Sequence, residues 1–213
     1  MQTNKKKPTR QRILDAAMDV FAQKGYHATR VDDIVLASQT SKGAVYSYFP
    51  SKQQLFLALI DTFVERLEAQ LQAAIESEPH GIQRVEAALK ACLEMFTRYR
   101  KLAKILLIQA TGLGNTFEEK RLTIHDRFAR LIKHHLDHAV AQGDIPPLQT
   151  TVAAYVWMGA IYEVVIRWIY TGQPEPEQAL PTLRTMLLRS IGVAEERIQQ
   201  PDNVTLVSYR REH

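Results

Sequence analysis

The sequence predicts an all-α protein of about nine helices, a three-helix amino-terminal unit followed by a larger helical body, and three observations carry that expectation. Apolar residues recur at three- and four-residue spacing through almost the whole chain, which places them on one face of successive helices. Helix breakers fall between those runs: Gly25, Pro50, Pro79 with Gly81, Gly112 with Gly114, Gly143, Pro146 with Pro147, Gly172 and Gly192. No strand pattern, repeat or low-complexity stretch interrupts them, and 46% apolar with 23% charged residues suits an ordinary globular core.

The first helix covers about Arg10 to Lys24, with Ile13, Leu14, Ala17, Val20 and Phe21 on one face and Gly25 as its C-cap. Thr29 caps a short second helix, with Asp32 as its capping partner and Ile34, Val35 and Ala37 facing inward. Ser38, Gln39, Thr40 and Ser41 compete for backbone hydrogen bonds and end that helix, and Ser41 or Thr40 caps the third, which Pro50 stops. A long fourth helix starts near Ser51 or Lys52 and runs through Leu55, Leu59, Phe63, Leu67 and Leu71 to about Ser77. The fifth spans about Ile82 to Tyr99 and a short sixth Leu102 to Thr111. Thr116 with Glu119 forms a capping box for a seventh that reaches Gln142. The eighth runs from about Thr150 to Tyr170 and the ninth from Pro176 to Ser190, kinked or truly begun at Pro181. The last twenty residues are polar and poorly periodic, a loose tail with at most a short extended piece from Val204 to Tyr209.

Residues 29 to 56 thus read as a helix, a tight polar turn and a second helix with Lys-Gly near its start, the arrangement that enters a major groove. The third helix presents Lys42, Gly43, Ala44, Tyr46, Ser47 and Tyr48, and Gly43 lets backbone lie close to a duplex. Thr40, Lys42 and Ala44 surround the start of that helix, where side chains reach base edges. Charge agrees. Residues 1 to 52 carry Lys5, Lys6, Lys7, Arg10, Arg12, Lys24, Arg30, Lys42 and Lys52 against four Asp, a net of +5, while the whole chain is only +4. All the excess positive charge therefore lies where counterion release from phosphates would use it.

The segment from about residue 9 to 60 resembles the TetR family of bacterial transcription regulators. The family's Gly-ended first helix, Lys-Gly, Tyr-x-Tyr/His-Phe and Ser-Lys-x-x-Leu runs are met by Lys24-Gly25-Tyr26, Ser41-Lys42-Gly43, Tyr46-Ser47-Tyr48-Phe49 and Ser51-Lys52-Gln53-Gln54-Leu55. One departure is the turn, Ser38-Gln39-Thr40 where the family has Ala-Gly-Val, so Gln39 must hold the backbone angle of that Gly. The resemblance implies phosphate contacts from Tyr46, Tyr48 and Lys52, with Thr29, Arg30 and Ser41 completing the DNA surface. It also implies a body that dimerises through the last two helices, here Ala153, Gly159, Ala160, Val164, Leu183 and Leu187. An effector pocket is implied within helices four to eight, where Phe96, Tyr99, Gln109, Phe117, His125, Phe128, Trp157, Tyr162 and Glu163 supply aromatic and polar groups. Glu163 and Arg167, four apart on a helix, either pair with each other or face that pocket.

The expected organisation is a DNA-binding domain with a basic arm over 1–52, an effector-binding and dimerisation domain over 53–192, and a polar tail over 193–213. Other classes find little support. There is no Gly-x-Ser-x-Gly elbow, phosphate loop, His-Glu-x-x-His or Cys-x-x-Cys, so neither enzyme chemistry nor a cofactor is indicated. His134 and His138 have metal-like helical spacing but lie on a polar side with Lys133, which reads as a solvated face. The lone Cys92 sits in an apolar helix face as an inert thiol and fits a reducing cytoplasm. The amino terminus has no apolar signal region, and the run Val152 to Tyr162, cut by Glu163 and Arg167, is too short for a bilayer. The function expected is a ligand-responsive homodimeric repressor on a palindromic double-stranded DNA operator, cytoplasmic, released by a large, partly apolar small molecule. The alternative is a helical carrier or enzyme whose basic head is incidental.

Overall fold

The computed structural model describes residues 8–79, 81–109 and 114–199, with Gln109 described in its backbone alone. Ten α-helices appear among them: α1 Thr9–Lys24, α2 Val31–Ser38, α3 Lys42–Tyr48, α4 Lys52–Glu76, α5 Gly81–Arg98, α6 Arg100–Lys104, α7 Asn115–Ala141, α8 Thr150–Thr171, α9 Pro176–Ser190 and α10 Glu195–Gln199. A π-helical turn, Ile105–Gln109, continues α6. Helices α1 to α3 form the head, and α4 leads from it into the body, where α4 packs on α5, α7 on α8, and α9 on both α5 and α8.

Local chemistry sets the head. Gly25 ends α1 at φ 82°, a backbone angle that costs a side chain and not glycine. The capping box of α2 sits one residue later than the sequence suggested. Arg30 is the N-cap, and its backbone N–H donates to the Asp33 carboxylate at 3.0 Å. Thr29 instead is buried and turns its hydroxyl back onto the carbonyl of Gly25 at 2.6 Å. Ile34 is the buried member of the expected inward set, Val35 is half-buried and Ala37 is exposed. Gln39 does adopt the left-handed angle, φ 52°. The Arg12 guanidinium holds it there, donating to the carbonyls of Ser38 and Gln39 at 2.7 and 2.8 Å. Ser41 caps α3 by accepting from the Ala44 N–H.

The body departs from expectation at helix ends. Gly114 is the N-cap of α7 and no side chain caps it, so the Thr116–Glu119 box does not form. Helix α9 starts at Pro176 and passes through the exposed Pro181, which forgoes one backbone bond in the second turn without ending the helix. Part of the expected tail is ordered as α10, which buries Ile198 and receives two hydrogen bonds on Glu195 from Arg189. The suggested extended piece at 204–209 lies outside the described residues. Helix α8, 22 residues with an 18-residue stretch of mean hydropathy 1.4, is long and apolar enough to cross a membrane by length and composition, contrary to the shorter run inferred above. Only 28% of that stretch is buried within the chain.

One apolar cluster runs from Ile13, Phe21, Ile34 and Val45 in the head through Phe56 and Phe63 on α4 to Leu102, Phe117 and Trp168 in the body. A second, around Leu89, Leu136, Trp157, Leu187 and Leu188, closes the far end. The first core crosses residue 52, so head and body share packing rather than meeting at a linker.

Candidate nucleic-acid interface and internal cavity

Capping at Ser41 leaves α3 lying with Val45 inward, buried against the head core, and its other side in solvent. Lys42, Gly43, Tyr46, Ser47 and Tyr48 are exposed on that side, Arg30 and Ser41 flank it, and Ala44 is half-buried. A Cβ at Gly43 would meet nothing nearer than the Ser41 hydroxyl at 4.0 Å, so it is open surface. The Lys42 ammonium lies 2.8 Å from the Asp32 carboxylate, which raises its pKa. Thr40 is half-buried with its hydroxyl 2.7 Å from that of Ser38. Thr29, by contrast, reaches no surface.

Lys52 takes a position the sequence did not suggest. Its ammonium donates to the carbonyls of Tyr26 and Thr29 at 2.9 and 3.0 Å and to that of His27 at 3.4 Å, and lies 4.5 Å from the Tyr26 ring centroid. All three of its N–H groups are thus directed at the turn between α1 and α2. Arg12 and Lys52 are both basic residues that fasten turns of the head, a role that charge counting cannot distinguish from phosphate contact.

Inside the body a cavity of about 660 Å³ separates α4 and α5 from α7 and α8, within the size range of small-molecule sites. One stripe of α7 lines it at helical spacing, including Arg121, His125, Phe128, Ile132, His135 and Ala139. Phe96, His125, Phe128, Trp157 and Tyr162 of the expected set are in the lining; Tyr99, Phe117 and Glu163 are not, and the side chain of Gln109 lies outside the described residues. Glu163 pairs with Arg167 on the surface at 2.7 Å. Sequence reasoning passed over Arg84 and Arg121 and grouped His135 with His134 and His138 on a solvated face, whereas His135 is half-buried in the lining, as the stripe of α7 would have suggested. Burial and the nearby Arg121 charge hold His125 below the ordinary histidine value. Burial, then His134, Arg84 and His138, does the same for His135. Cys92 also lines the cavity, its thiol pushed up to about 12 by burial. No three-residue metal cluster involving His134 and His138 occurs among the described residues.

Phe117, at the start of the same α7, is buried where head meets body, its ring 5.5 Å from those of Tyr26 and Phe56. Ion pairs from Lys120 to Asp61 and from Arg127 to Glu68 tie α7 to α4. Helix α6 makes a second bridge, with Lys101 2.7 Å from Asp19 on α1 and Arg100 donating to the carbonyls of Trp168 and Ile169 on α8.

Helix α8, and α9 at one position, carry large apolar side chains that no other described residue covers. Val152, Tyr155, Val156 and Tyr170 are exposed along α8 with Gly159 between them, and Met186 is exposed on α9. Of the residues expected at a dimer seam, Ala153, Ala160 and Val164 are half-buried within the chain and Leu183 and Leu187 are buried in it, which leaves Gly159 on the exposed side.

Comparison with known proteins agrees with this architecture. The profile of the family described as bacterial regulatory proteins, tetR family, matches residues 13–59. The HTH-type transcriptional regulator SrpR of Pseudomonas putida is 30% identical over 163 residues, covering 73% of this chain and 74% of SrpR. The fatty acid degradation regulator FadR from Bacillus halodurans superposes with a TM-score of 0.78 at 20% identity, over 84% of this chain and 97% of that one. FadR from Bacillus subtilis, solved in complex with stearoyl-CoA, does so at 0.78 and 18%, over 86% and 98%.

Proposed function

This chain belongs to the TetR family of transcriptional regulators, DNA-binding proteins and not enzymes, and on that premise we propose that it is a cytoplasmic homodimeric repressor released from a palindromic operator by a small molecule. The observation that carries the proposal is the double use of α7, which lines the cavity with one stripe and plants Phe117 in the head core at its first turn. A ligand that moves α7 moves the head through Phe117 and through the ion pairs to α4. Its binding energy acts on DNA affinity only as far as it differs between the two head positions.

On DNA, Lys42, Thr40 and Ala44 read base edges, Tyr46, Tyr48, Ser47 and Arg30 hold phosphates and sugars, and Gly43 admits close approach. Lys52 serves them by fixing the turn before α2. Two heads gain affinity by binding linked half-sites. The uncovered stripe of α8 with Met186 on α9 is the natural seat of the second copy, because an apolar face of that extent is costly to leave in water. The domains follow as a head over 1–52 and an effector-binding and dimerisation body over 53–192. The effector is partly apolar, as the cavity lining is, and the stearoyl-CoA bound by the B. subtilis relative is of that kind.

The test is selection of sites from random DNA, then sedimentation and operator titration with and without candidate ligands. A two-fold symmetric site bound by a dimer and released by ligand is the expected result. A monomer with no preference above non-specific affinity would favour a carrier.

A further inference from the structure

The cavity lining follows α7, and its two ends carry different groups. Along α7, Arg121 and His135 lie about four helical turns, roughly 21 Å, apart. The lining between them is mainly apolar, with Phe128, Leu131 and Ile132 on α7 and Leu71, Leu89 and Phe96 from α4 and α5, and His125 lies one turn from Arg121.

At one end Arg121 is neutralised by Glu118 at 2.9 Å. At the other, Arg84 on α5 is half-buried and spends its Nε–H on the carbonyl of Glu78 at 2.8 Å. Among the described residues it has no carboxylate partner. Arg184, also in the lining, has Glu86 at 2.7 Å, and Arg197 is exposed and donates to the backbone carbonyl of Asp144. Asp144, the one carboxylate of the lining, is exposed and forms no ion pair with Arg84. Arg84 thus stands in the lining near the half-buried imidazole of His135, with no carboxylate sharing its charge among the described residues. An anion that reaches such a guanidinium gains charge-assisted hydrogen bonds in a bidentate geometry that a neutral hydroxyl cannot match.

Resting on the ligand-controlled reading above, the geometry points to a ligand with one anionic head group, a carboxylate or a group of similar size, on an extended apolar tail. The head sits between Arg84 and His135, and the tail runs along α7 toward Arg121. A neutral amphiphile of the same length fills the cavity but leaves Arg84 unpaired.

Isothermal titration of the intact protein with palmitate, hexadecanol and palmitoyl-CoA, each below its micellar concentration, tests this. Wild type binds palmitate at least tenfold more tightly than hexadecanol. Arg84→Met abolishes that preference while hexadecanol affinity stays within threefold, which also certifies the cavity. Arg84→Lys retains part of the preference, and Arg121→Met costs palmitate less than Arg84→Met does. Palmitoyl-CoA binding with the same dependence on Arg84 supports an anion there and makes the head a phosphate. Equal wild-type affinity for palmitate and hexadecanol, a loss at Arg121 as large as that at Arg84, or no binding of any of the three overturns the inference. If Arg84→Met does not fold, the wild-type comparison and Arg84→Lys still decide. Operator release scored in parallel separates the two levels. Palmitate that binds through Arg84 without releasing DNA refutes ligand control and spares the head group. Hexadecanol that releases DNA as well as palmitate refutes the head group and spares ligand control.

Discussion

Replacing Lys52 with Met keeps the aliphatic stem and removes the ammonium that three carbonyls and the Tyr26 ring share. The two short bonds, at 2.9 and 3.0 Å, are charge-assisted but only part-buried, so water replaces some of what is lost, and each is worth about 1 kcal/mol net. The cation over the ring adds about 0.5 kcal/mol at such a site. The variant should therefore lose about 2.5 kcal/mol, which for a chain of this size lowers the melting temperature by roughly 5 to 10 °C. Operator affinity should fall at every salt concentration because the turn leading to α2 is no longer fixed, while the slope of log K against log salt keeps its value. A phosphate-bound Lys52 predicts the opposite, a slope smaller by about 0.9 with stability untouched. Thermal denaturation and a salt titration on the same preparation discriminate, and a full unit of slope lost with an unchanged melting temperature would falsify the stapling role.

Three further outcomes follow from the same geometry. Phe117→Ala removes a buried ring between Tyr26 and Phe56, so denaturant titration should show a loss of about 3 kcal/mol, and ligand should lose most of its effect on operator affinity where the variant remains folded; full ligand control would move the coupling elsewhere. Gly159→Leu adds bulk where no atom lies within 4 Å, so circular dichroism should be unchanged while sedimentation shifts toward monomer and operator binding falls at least tenfold; a tight dimer with full affinity would exclude this face as the seam. His125 and His135 are held below their ordinary value of 6.5, so the unfolded chain binds more protons between the depressed value and 6.5, and stability rises with pH through that window and is lost as pH falls through it. Melting temperatures between about pH 7.5 and 5.5 should fall less in the His125→Gln, His135→Gln pair than in wild type, with an identical fall counting against these two histidines.

What the sequence determined by itself is whatever is local. Helix spans follow from apolar spacing over a few turns, and Gly25, Ser41 and the left-handed Gln39 were legible because caps and turns are settled within about five residues. The same locality made the head recognisable, since Tyr46, Tyr48, Lys42 and Gly43 fall on one short helix whatever the body does. One-residue shifts escaped it, as at Arg30 and Asp33, because adjacent Thr, Asp and Asp residues offer nearly equal caps. Tertiary structure alone decided which charges face what. Arg12 and Lys52 look like phosphate contacts in a list of basic residues, and only the approach of α1 and α4 to the head's turns supplies the carbonyls that claim them. Glu163 could have faced the cavity or the solvent, and the rotation of α8 set it outward with Arg167. Leu183 and Leu187 share the apolar face of α9, yet packing on α5 and α8 buries them within the chain, while Val152, Tyr155 and Gly159 stay exposed on α8. Arg84 acquires meaning last of all, because its lack of a carboxylate partner among the described residues is visible only once the helices around it are in place.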